Sequence, residues 1–402
     1  MSITIENEEK RMKKLLFFLV AVLCCVIAFS VFERYTENPD SSISELLTGE
    51  TEPAQELTDI GSPYKFYYNT LDEQEKRAYN AILSEVYSMP ESIRIPRIDS
   101  MQLDDVFWAL LCDNPDLFFV GRCCTLTTSP LGTTCALEYT IEKSEYESMK
   151  AQLEEVCDEV ISSLKNPDDQ WLTELEIHDY IINNCQYKMT KNNYLCSSAY
   201  GALVTKEAAC EGYSRAAKLL LDRAGIESEV LCGVSTDKDG NSGNHMWNAV
   251  RINGDYYYLD CTWDDPVGEE EKDVEFHTYF NVDGETLSKT HSEFSYDFGC
   301  TATAENYFVK TGGYFETYSS DDEEKLAEIV ANELESGGNT VEVRFGSWNV
   351  YDRAAKDLIT KGRILSVFCK AQDKTDVDFS LREYNYYPDN DSLTLTFVIK
   401  RK

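Results

Sequence analysis

The chain has 402 residues, and its 37 Lys and Arg against 72 Asp and Glu leave a formal net charge of −35. A chain of this length predicts two or three domains with ample core. The acidic excess argues against a nucleic-acid partner, whose phosphates would be repelled, and against docking of the folded part on anionic lipid. It favours substrates with basic groups, such as amino sugars or lysine-type side chains.

An apolar run at residues 15–32 is just long enough to span a bilayer. The basic residues that precede it are Arg11, Lys13 and Lys14. By the positive-inside rule, residues 1–14 stay in the cytoplasm and the rest lies outside, as in a single-pass membrane protein. The alternative is a secreted protein, whose signal peptide is cleaved near the small residues Ala28 and Ser30.

Two segments separate the apolar run from the centre of the chain. Residues 33–63 are polar, with prolines and acids, and predict an extracytoplasmic linker. Residues 64–168 alternate helical and strand-like stretches, which predicts an N-terminal α/β domain. Its expected elements are helices at 73–88, 103–111 and 145–164 and a strand at 137–141.

Cys210 opens a strongly amphipathic stretch. The apolar residues that follow it at helical spacing are Tyr213, Ala216, Ala217, Leu220, Leu221 and Ala224. Gly225 stands where a left-handed C-cap belongs. Because unpaired N–H groups and the helix dipole favour negative charge, the first-turn thiol of Cys210 should ionise easily. Gly212 allows the backbone of another segment to come close beside the thiol.

The dipeptide Asn253-Gly254 predicts a two-residue type I′ turn. It joins predicted strands at 247–252 and 255–260 into a β-hairpin. In this register Ile252 faces Asp255, and the strands pair outward from there.

The predicted register brings a histidine and an aspartate together. Trp247 faces Asp260, so His245 and Asp260 are diagonal neighbours on one sheet face, about 7 Å apart between Cβ atoms. We therefore predict a hydrogen bond between the imidazole of His245 and the carboxylate of Asp260. A slip of one residue would place them on opposite faces and abolish it.

Residues 311–402 predict a C-terminal α/β domain for packing or interaction, without chemistry of its own. Its expected elements are helices at 323–334 and 351–359 and strands at 340–345 and 393–399. Gly337-Gly338 predicts the turn between the first helix and the first strand.

A cysteine that opens a helix, followed by a histidine and an aspartate on a hairpin, resembles the transglutaminase-like core of the papain-like cysteine enzymes. The segments that carry the resemblance to bacterial surface members are Tyr200-Gly201-Ala202-Leu203, Ala209-Cys210-Glu211-Gly212-Tyr213, His245-Met246-Trp247-Asn248 and Asp260-Cys261-Thr262-Trp263-Asp264-Asp265. The resemblance implies an α+β catalytic core at residues 169–310, in which the cysteine-bearing helix packs on an antiparallel sheet that bears the histidine and the aspartate.

The same resemblance implies the chemistry. Cys210 would be the nucleophile, His245 the general base and acid, and Asp260 the residue that orients the histidine. The backbone N–H of Cys210, at a helix start, is the expected oxyanion donor. The expected activity is acyl transfer through a cysteine thioester, or amide hydrolysis, on a protein or cell-wall peptide. The alternative is an inactive transglutaminase-like binding or scaffold protein of the cell surface.

No cofactor or metal is predicted. Residues 237–243 begin like a calcium loop, but Ser242 stands where that loop needs glycine. His277 and His291 are far apart in sequence and have no evident companion ligands. His178 is expected to be a hydrogen-bonded core histidine.

The 14 cysteines predict a mostly reduced protein. Cys24 and Cys25 lie in the apolar run, and reserving Cys210 as a thiol leaves an odd number, so complete pairing within one chain is impossible. No Cys-x-x-Cys spacing suggests zinc or redox chemistry. One or two disulfides in the N-terminal domain are the alternative, formed among Cys112, Cys123, Cys124 and Cys135.

Overall fold

The structure is a computed structural model that describes Phe32 and residues 63–129, 132–189, 194–265 and 274–402. The predicted cytoplasmic segment and nearly all of the predicted membrane segment and linker lie outside the described residues. Within the described ranges, no helix is both long and apolar enough to cross a membrane. The membrane anchor therefore stays a prediction.

Contacts divide the chain into two units. Of the described residues, the first unit holds those up to Asp113 together with those in 120–143, and the second holds Asn114–Phe119 and those in 144–402. The domain boundaries expected at residues 168 and 310 both lie inside the second unit, and they stay predictions.

The first unit is built on a three-stranded antiparallel sheet. Its elements are α1 (Phe66–Thr70), α2 (Glu73–Val86), β1 (Ile93–Ile95), α3 (Ser100–Asp113), β2 (Val120–Ser129) and β3 (Gly132–Tyr139). The strand order is β1-β3-β2. Asp113 accepts hydrogen bonds from the N–H groups of Tyr67 and Tyr68 at 3.0 and 2.8 Å, which ties α1 to α3. The helices predicted at 73–88 and 103–111 are confirmed. The strand predicted at 137–141 begins earlier, at Gly132, and ends at Tyr139.

The second unit contains the predicted catalytic core. Its first elements are α4 (Lys143–Ser163), α5 (Gln170–Asn184), β4 (Gln186–Tyr187), β5 (Glu207–Ala208), α6 (Cys210–Arg223), β6 (Ser228–Thr236), β7 (Ser242–Ile252), β8 (Asp255–Leu259), α7 (Cys261–Asp264), α8 (Gly284–Leu287), β9 (His291–Ser292) and α9 (Tyr307–Lys310). An antiparallel sheet has the strand order β8-β7-β6-β9. Helix α6 packs against β6 and β7 of this sheet.

The rest of the second unit is a smaller α/β module. Its elements are β10 (Tyr314–Phe315), α10 (Glu323–Ser336), β11 (Thr340–Phe345), α11 (Trp348–Ala355), α12 (Ile364–Gln372), β12 (Phe379–Asp389) and β13 (Thr394–Arg401). The sheet order is β10-β11-β13-β12, and apolar side chains of α10, α12 and β11 share its core. The predicted helix at 323–334 and both predicted strands are confirmed. The predicted helix at 351–359 begins at Trp348 and continues as a π-helix, while α12 and β12 were not predicted.

Helix α6 is the predicted amphipathic helix, but it is buried on more than its apolar face. Gly225 follows it with φ +79°, which confirms the left-handed C-cap. Lys218 is fully buried and pairs with Asp222 and Glu229, each at 3.2 Å. Its Nζ also donates to the Ser228 carbonyl at 2.5 Å. A buried charge is tolerated here because carboxylates and a carbonyl surround it.

Gly212 lies where α6 packs closely against the segment before it. A Cβ atom there would lie 2.5 Å from the Cys196 carbonyl oxygen and 2.8 Å from Ala208 Cβ. Backbone atoms cannot move aside as a flexible side chain can. The prediction that this glycine permits close packing beside the thiol is therefore confirmed.

We expect Gly212→Ala to lower the free energy of unfolding by about 1–3 kcal/mol, because the added methyl group overpacks a buried contact. Urea unfolding of the two proteins measures the difference. Gly243→Ala is the matched control, since a Cβ at that position meets no atom within 4 Å. Equal unfolding midpoints for Gly212→Ala and the unmodified chain would contradict the packing argument.

Candidate active site

Cys210 is the first residue of α6. Ala209 is the N-cap, in extended conformation, and no side chain caps the helix. The N–H of Ala209 donates to the Cys196 carbonyl at 2.9 Å, which fixes the path of the chain into the helix. The half-buried thiol therefore lies at the N-terminus of the helix, where the helix dipole favours negative charge.

The β7–β8 hairpin has the predicted register. Ile252 pairs with Asp255, and the pairing continues residue by residue along β8. Asn253 has φ 53° and Gly254 has φ +101°, as a type I′ turn requires. The register derived from the turn dipeptide is confirmed.

The predicted contact between His245 and Asp260 is also confirmed. His245 Nε2 lies 2.6 Å from Asp260 Oδ2, and both side chains are buried. Asp260 lies just past β8, as the N-cap of α7, rather than inside the strand as expected. Its Oδ1 accepts the N–H groups of Thr262 and Trp263 at 2.9 and 3.1 Å. One carboxylate oxygen thus caps the helix while the other faces the imidazole.

Burial and charge oppose each other at this pair. Burial alone would lower the pKa of His245, but the Asp260 carboxylate, followed by the Cys210 thiol, raises the pKa of His245 to about 10. Burial likewise favours neutral Asp260, yet His245 and His291 hold the pKa of the Asp260 carboxyl below its ordinary 3.8. At neutral pH the pair is therefore an imidazolium and a carboxylate. Since Nε2 faces Asp260, Nδ1 is the ring nitrogen left for the Cys210 thiol, which is a hydrogen-bond partner of His245.

A second histidine, which the sequence analysis left without a role, shares the same carboxylate. His291 Nε2 lies 3.1 Å from Asp260 Oδ2, and His291 Nδ1 lies 2.9 Å from Thr290 Oγ1. Strand β9 pairs with β6 and brings the His291 ring to 5.4 Å from the His245 ring, between centroids. The expectation that His291 lacks companions is wrong. Its contact fixes the Asp260 oxygen that orients His245.

Two tryptophan rings surround the histidine pair. Trp247 is fully buried, with its ring 6.0 Å from that of His245 and 5.0 Å from that of His291. Trp263 is partly exposed and lies 5.9 Å from the His245 ring and 4.8 Å from the His291 ring. These contacts restrict the rotation of both imidazoles and shield the Asp260 carboxylate from water.

Hydrogen bonds between the sheet and α6 set the position of Cys210 relative to His245. Asn248 Nδ2 donates to the Ser214 carbonyl at 2.9 Å, and Ser214 Oγ donates to the Cys210 carbonyl at 3.0 Å. Asn248 lies on β7, three residues after His245. The strand that carries His245 is therefore tied to the first turn of the helix that carries Cys210.

Tyr187 is a further residue near the thiol that the sequence analysis missed. The short parallel pair β4–β5 aligns it with Ala208, two residues before Cys210. Its side chain is exposed. Partial burial, and then the charge of Cys210, raises the pKa of Tyr187. The hydroxyl is therefore neutral at neutral pH, a state in which it donates a hydrogen bond.

A groove of about 570 Å³ borders the site at His291. Tyr258 and Phe294 supply aromatic walls, and the exposed carboxylates on its rim belong to Glu285, Glu293 and Asp297. A negatively charged rim attracts cationic groups.

The remaining predictions have mixed outcomes. His178 is a buried, hydrogen-bonded core histidine, as predicted, with Asp179 and Asp264 as partners. His277 does have companions, contrary to expectation, since its ring lies between Asp179 and Glu342. All 12 cysteines in the described ranges have free thiols.

Residues 154–261 match the model of the transglutaminase-like superfamily. This range includes Cys210, His245 and Asp260. Residues 154–261 therefore form a transglutaminase-like domain, as the sequence resemblance implied.

A search of solved structures matches parts of the chain at low sequence identity. A TGase has 16% identity over 41% of this chain and 48% of that chain, with a TM-score of 0.25. A candidate cysteine protease from Cytophaga hutchinsonii has 13% identity over 35% of this chain and 61% of that chain, with a TM-score of 0.23. A candidate protease from Parabacteroides distasonis ATCC 8503 has 14% identity over 35% of each chain, with a TM-score of 0.19. The chain thus covers less than two thirds of each of these proteins. A comparison with curated proteins found no match.

The charged pair makes stability depend on pH. The folded-state pKa of His245, about 10, lies above its ordinary 6.5, so its contribution is complete below pH 6.5 and is lost as the pH rises through about 10. The pKa of Asp260 is held below 3.8, so its contribution is lost as the pH falls below that value. We therefore expect the free-energy difference between the unmodified chain and Asp260→Asn to be largest between pH 3.8 and 6.5 and to shrink toward pH 10.

Denaturant unfolding across this pH range measures that difference. Asp283→Asn is the matched control, because Asp283 also caps a short helix and its cap contact is to the Thr286 N–H. The control difference should stay constant between pH 6.5 and 10. If the loss of unfolding free energy in Asp260→Asn were equally constant over this pH range, His245 and Asp260 would not form a charged pair.

Proposed function

We propose that the chain is a membrane-anchored, extracytoplasmic cysteine enzyme that transfers acyl groups from amides of protein or cell-wall peptide, to an amine or to water. The observation that carries the proposal is the arrangement of Cys210, His245 and Asp260. A thiol at a helix N-terminus interacts with an imidazole that a buried carboxylate holds in its charged form. An ionised thiol next to an imidazolium is the reactive state of cysteine nucleophiles.

The first half of the reaction forms a thioester. The Cys210 thiolate attacks the amide carbonyl carbon, and a C–S bond forms. The backbone N–H of Cys210 supports the oxyanion, and we assign the Tyr187 hydroxyl as the second donor because its strand pairs with the segment that leads into Cys210. His245 gives its Nδ1 proton to the amide nitrogen as the C–N bond breaks, and the amine departs. Asp260 keeps the proton on Nε2, so that Nδ1 is the nitrogen that exchanges.

The second half resolves the thioester. An amine or a water molecule gives a proton to His245 Nδ1 and attacks the carbonyl carbon, and the C–S bond breaks to restore the thiolate. The carboxylates on the rim of the groove beside His291 favour a cationic acceptor, such as a lysine-type amine. We therefore place amine transfer ahead of hydrolysis.

The location rests on the N-terminal sequence. The apolar run at 15–32, with basic residues before it, supports a single-pass anchor with the enzyme outside. The full chain should remain in the membrane fraction after an alkaline carbonate wash, and a chain without residues 1–32 should not. Release of the full chain by the wash would contradict the anchor.

The proposed reaction is tested by trapping the acyl-enzyme. The protein is mixed with p-nitrophenyl acetate, and the acetylated residue is found by peptide mass spectrometry. We expect one hydroxylamine-sensitive acetyl group on Cys210, no labelling of that site in Cys210→Ser, and acylation at least 100-fold slower in His245→Ala. Cys369→Ser is the matched control, because it removes an exposed thiol from the C-terminal module.

A dansylated primary amine and a glutamine-rich protein then distinguish transfer from hydrolysis. Covalent incorporation of the amine would support transfer, and loss of amide without incorporation would assign the enzyme to hydrolysis. Folded protein that forms no acyl group on Cys210 would refute the enzyme and leave a surface binding or scaffold protein.

A further inference from the structure

A second cluster of histidines and carboxylates lies in the same unit and uses none of the residues assigned to acyl transfer. His178 and Asp179 are neighbours on α5, and His277 lies in the segment before α8. Asp179 Oδ1 is 2.9 Å from His178 Nδ1 and 3.0 Å from His277 Nε2. The three potential ligand atoms all lie within 4.8 Å of one another.

Both rings have a carboxylate oxygen at each of their two nitrogens. His178 Nε2 lies 3.3 Å from Asp264 Oδ2, and His277 Nδ1 lies 2.5 Å from Glu342 Oε2. A neutral imidazole has a single N–H and cannot donate to two carboxylates. The contacts are satisfied if the cluster takes up two additional protons, on the rings or on the outer carboxyls, or if one divalent ion lies between the rings and Asp179.

We propose that His178 Nδ1, His277 Nε2 and the Asp179 carboxylate bind one divalent transition-metal ion, with zinc the best match to these ligands. The outer contacts favour the ion over the protons. A histidine that binds a metal typically donates its other N–H to a carboxylate, which fixes the tautomer and turns the ring toward the metal. Asp264 and Glu342 are both buried and stand at these two positions.

The surroundings hold the rings in place for such an ion. The His277 ring stacks on Tyr307 with centroids 3.9 Å apart and planes at 3°, and the His178 ring packs edge-on against Phe280 at 5.2 Å. Neighbouring ligand atoms around tetrahedral zinc are about 3.3 Å apart, so the two contacts between Asp179 and the rings need to lengthen by only a few tenths of an ångström. The Asp179 side chain is 28% exposed, which gives the ion an entry path and leaves room for a water ligand.

This site would support the catalytic one without taking part in its chemistry. Asp264 ends the short helix α7, which Asp260 begins as its N-cap. The N–H of Asp264 donates to the Asp260 carbonyl at 3.2 Å. An ion bound to His178 would thus fix Asp264 at the end of α7. Asp260, whose carboxylate faces His245, lies at the start of the same helix.

Zinc binding is measured on the full chain carrying Cys210→Ser, so that the result does not depend on the proposed enzyme. After treatment with a chelator, titration calorimetry with Zn²⁺ alone should show one ion per chain. His277→Gln and Asp179→Asn should each weaken binding at least tenfold, and Glu342→Gln, which alters the contacts to the outer ring nitrogen and the backbone N–H of His277, about 10- to 100-fold. Asp237→Asn, in an exposed loop outside the cluster, should bind as tightly as the parent protein.

Co²⁺ identifies the ligands when it replaces Zn²⁺. The visible spectrum should show d–d bands without the intense thiolate band in the near ultraviolet, because only nitrogen and oxygen ligands are proposed. Circular dichroism confirms that each variant is folded. Folded parent protein that binds no zinc would refute the site. So would binding that survives His277→Gln and is lost in His245→Ala, since the ion would then occupy the Asp260 site.

Discussion

The register of the β7–β8 hairpin is the constraint on which the site depends. The Asn253-Gly254 turn sets this register, and it places His245 and Asp260 on one face of the sheet. A slip of one residue would turn the imidazole to the opposite face, and no side-chain motion could restore the contact. The hydrogen bond from Asn248 on β7 to the Ser214 carbonyl on α6 then fixes the position of Cys210 relative to the strand. A local turn preference thus determines the geometry of groups that lie 50 residues apart, from 210 to 260.

The four-residue helix α7 organises the charges around this hairpin. Asp260 at its start caps the helix with one oxygen and faces His245 and His291 with the other. Asp264 at its end accepts the Tyr279 N–H and faces His178. Each carboxylate is buried, and each is compensated by backbone N–H groups together with imidazole. The two histidine clusters are therefore arranged around opposite ends of one short element.

The parts of this structure that the sequence predicts are those with a strong local pattern. The helical spacing after Cys210 predicts α6. The dipeptide Asn253-Gly254 predicts the hairpin register and with it the contact between His245 and Asp260. His291 escapes prediction because β9 has only two residues and no periodicity. Glu342, which meets His277 across 65 residues, and the buried Lys218 depend on tertiary packing that overrides local preference. The assignment of chemical roles came from the family resemblance rather than from any periodicity.

The central proposal is that the His245 imidazole activates the Cys210 thiol. Its most direct test is the rate of iodoacetamide alkylation at pH 6, followed peptide by peptide with mass spectrometry. Cys123 and Cys369 are exposed and serve as reference thiols within the same chain. At pH 6 an ordinary thiol, with a pKa of about 8.5, is well under 1% ionised. We expect Cys210 to react at least tenfold faster than both reference thiols, and to lose this advantage in His245→Ala. Equal rates at all three cysteines, unchanged by His245→Ala, would contradict the account.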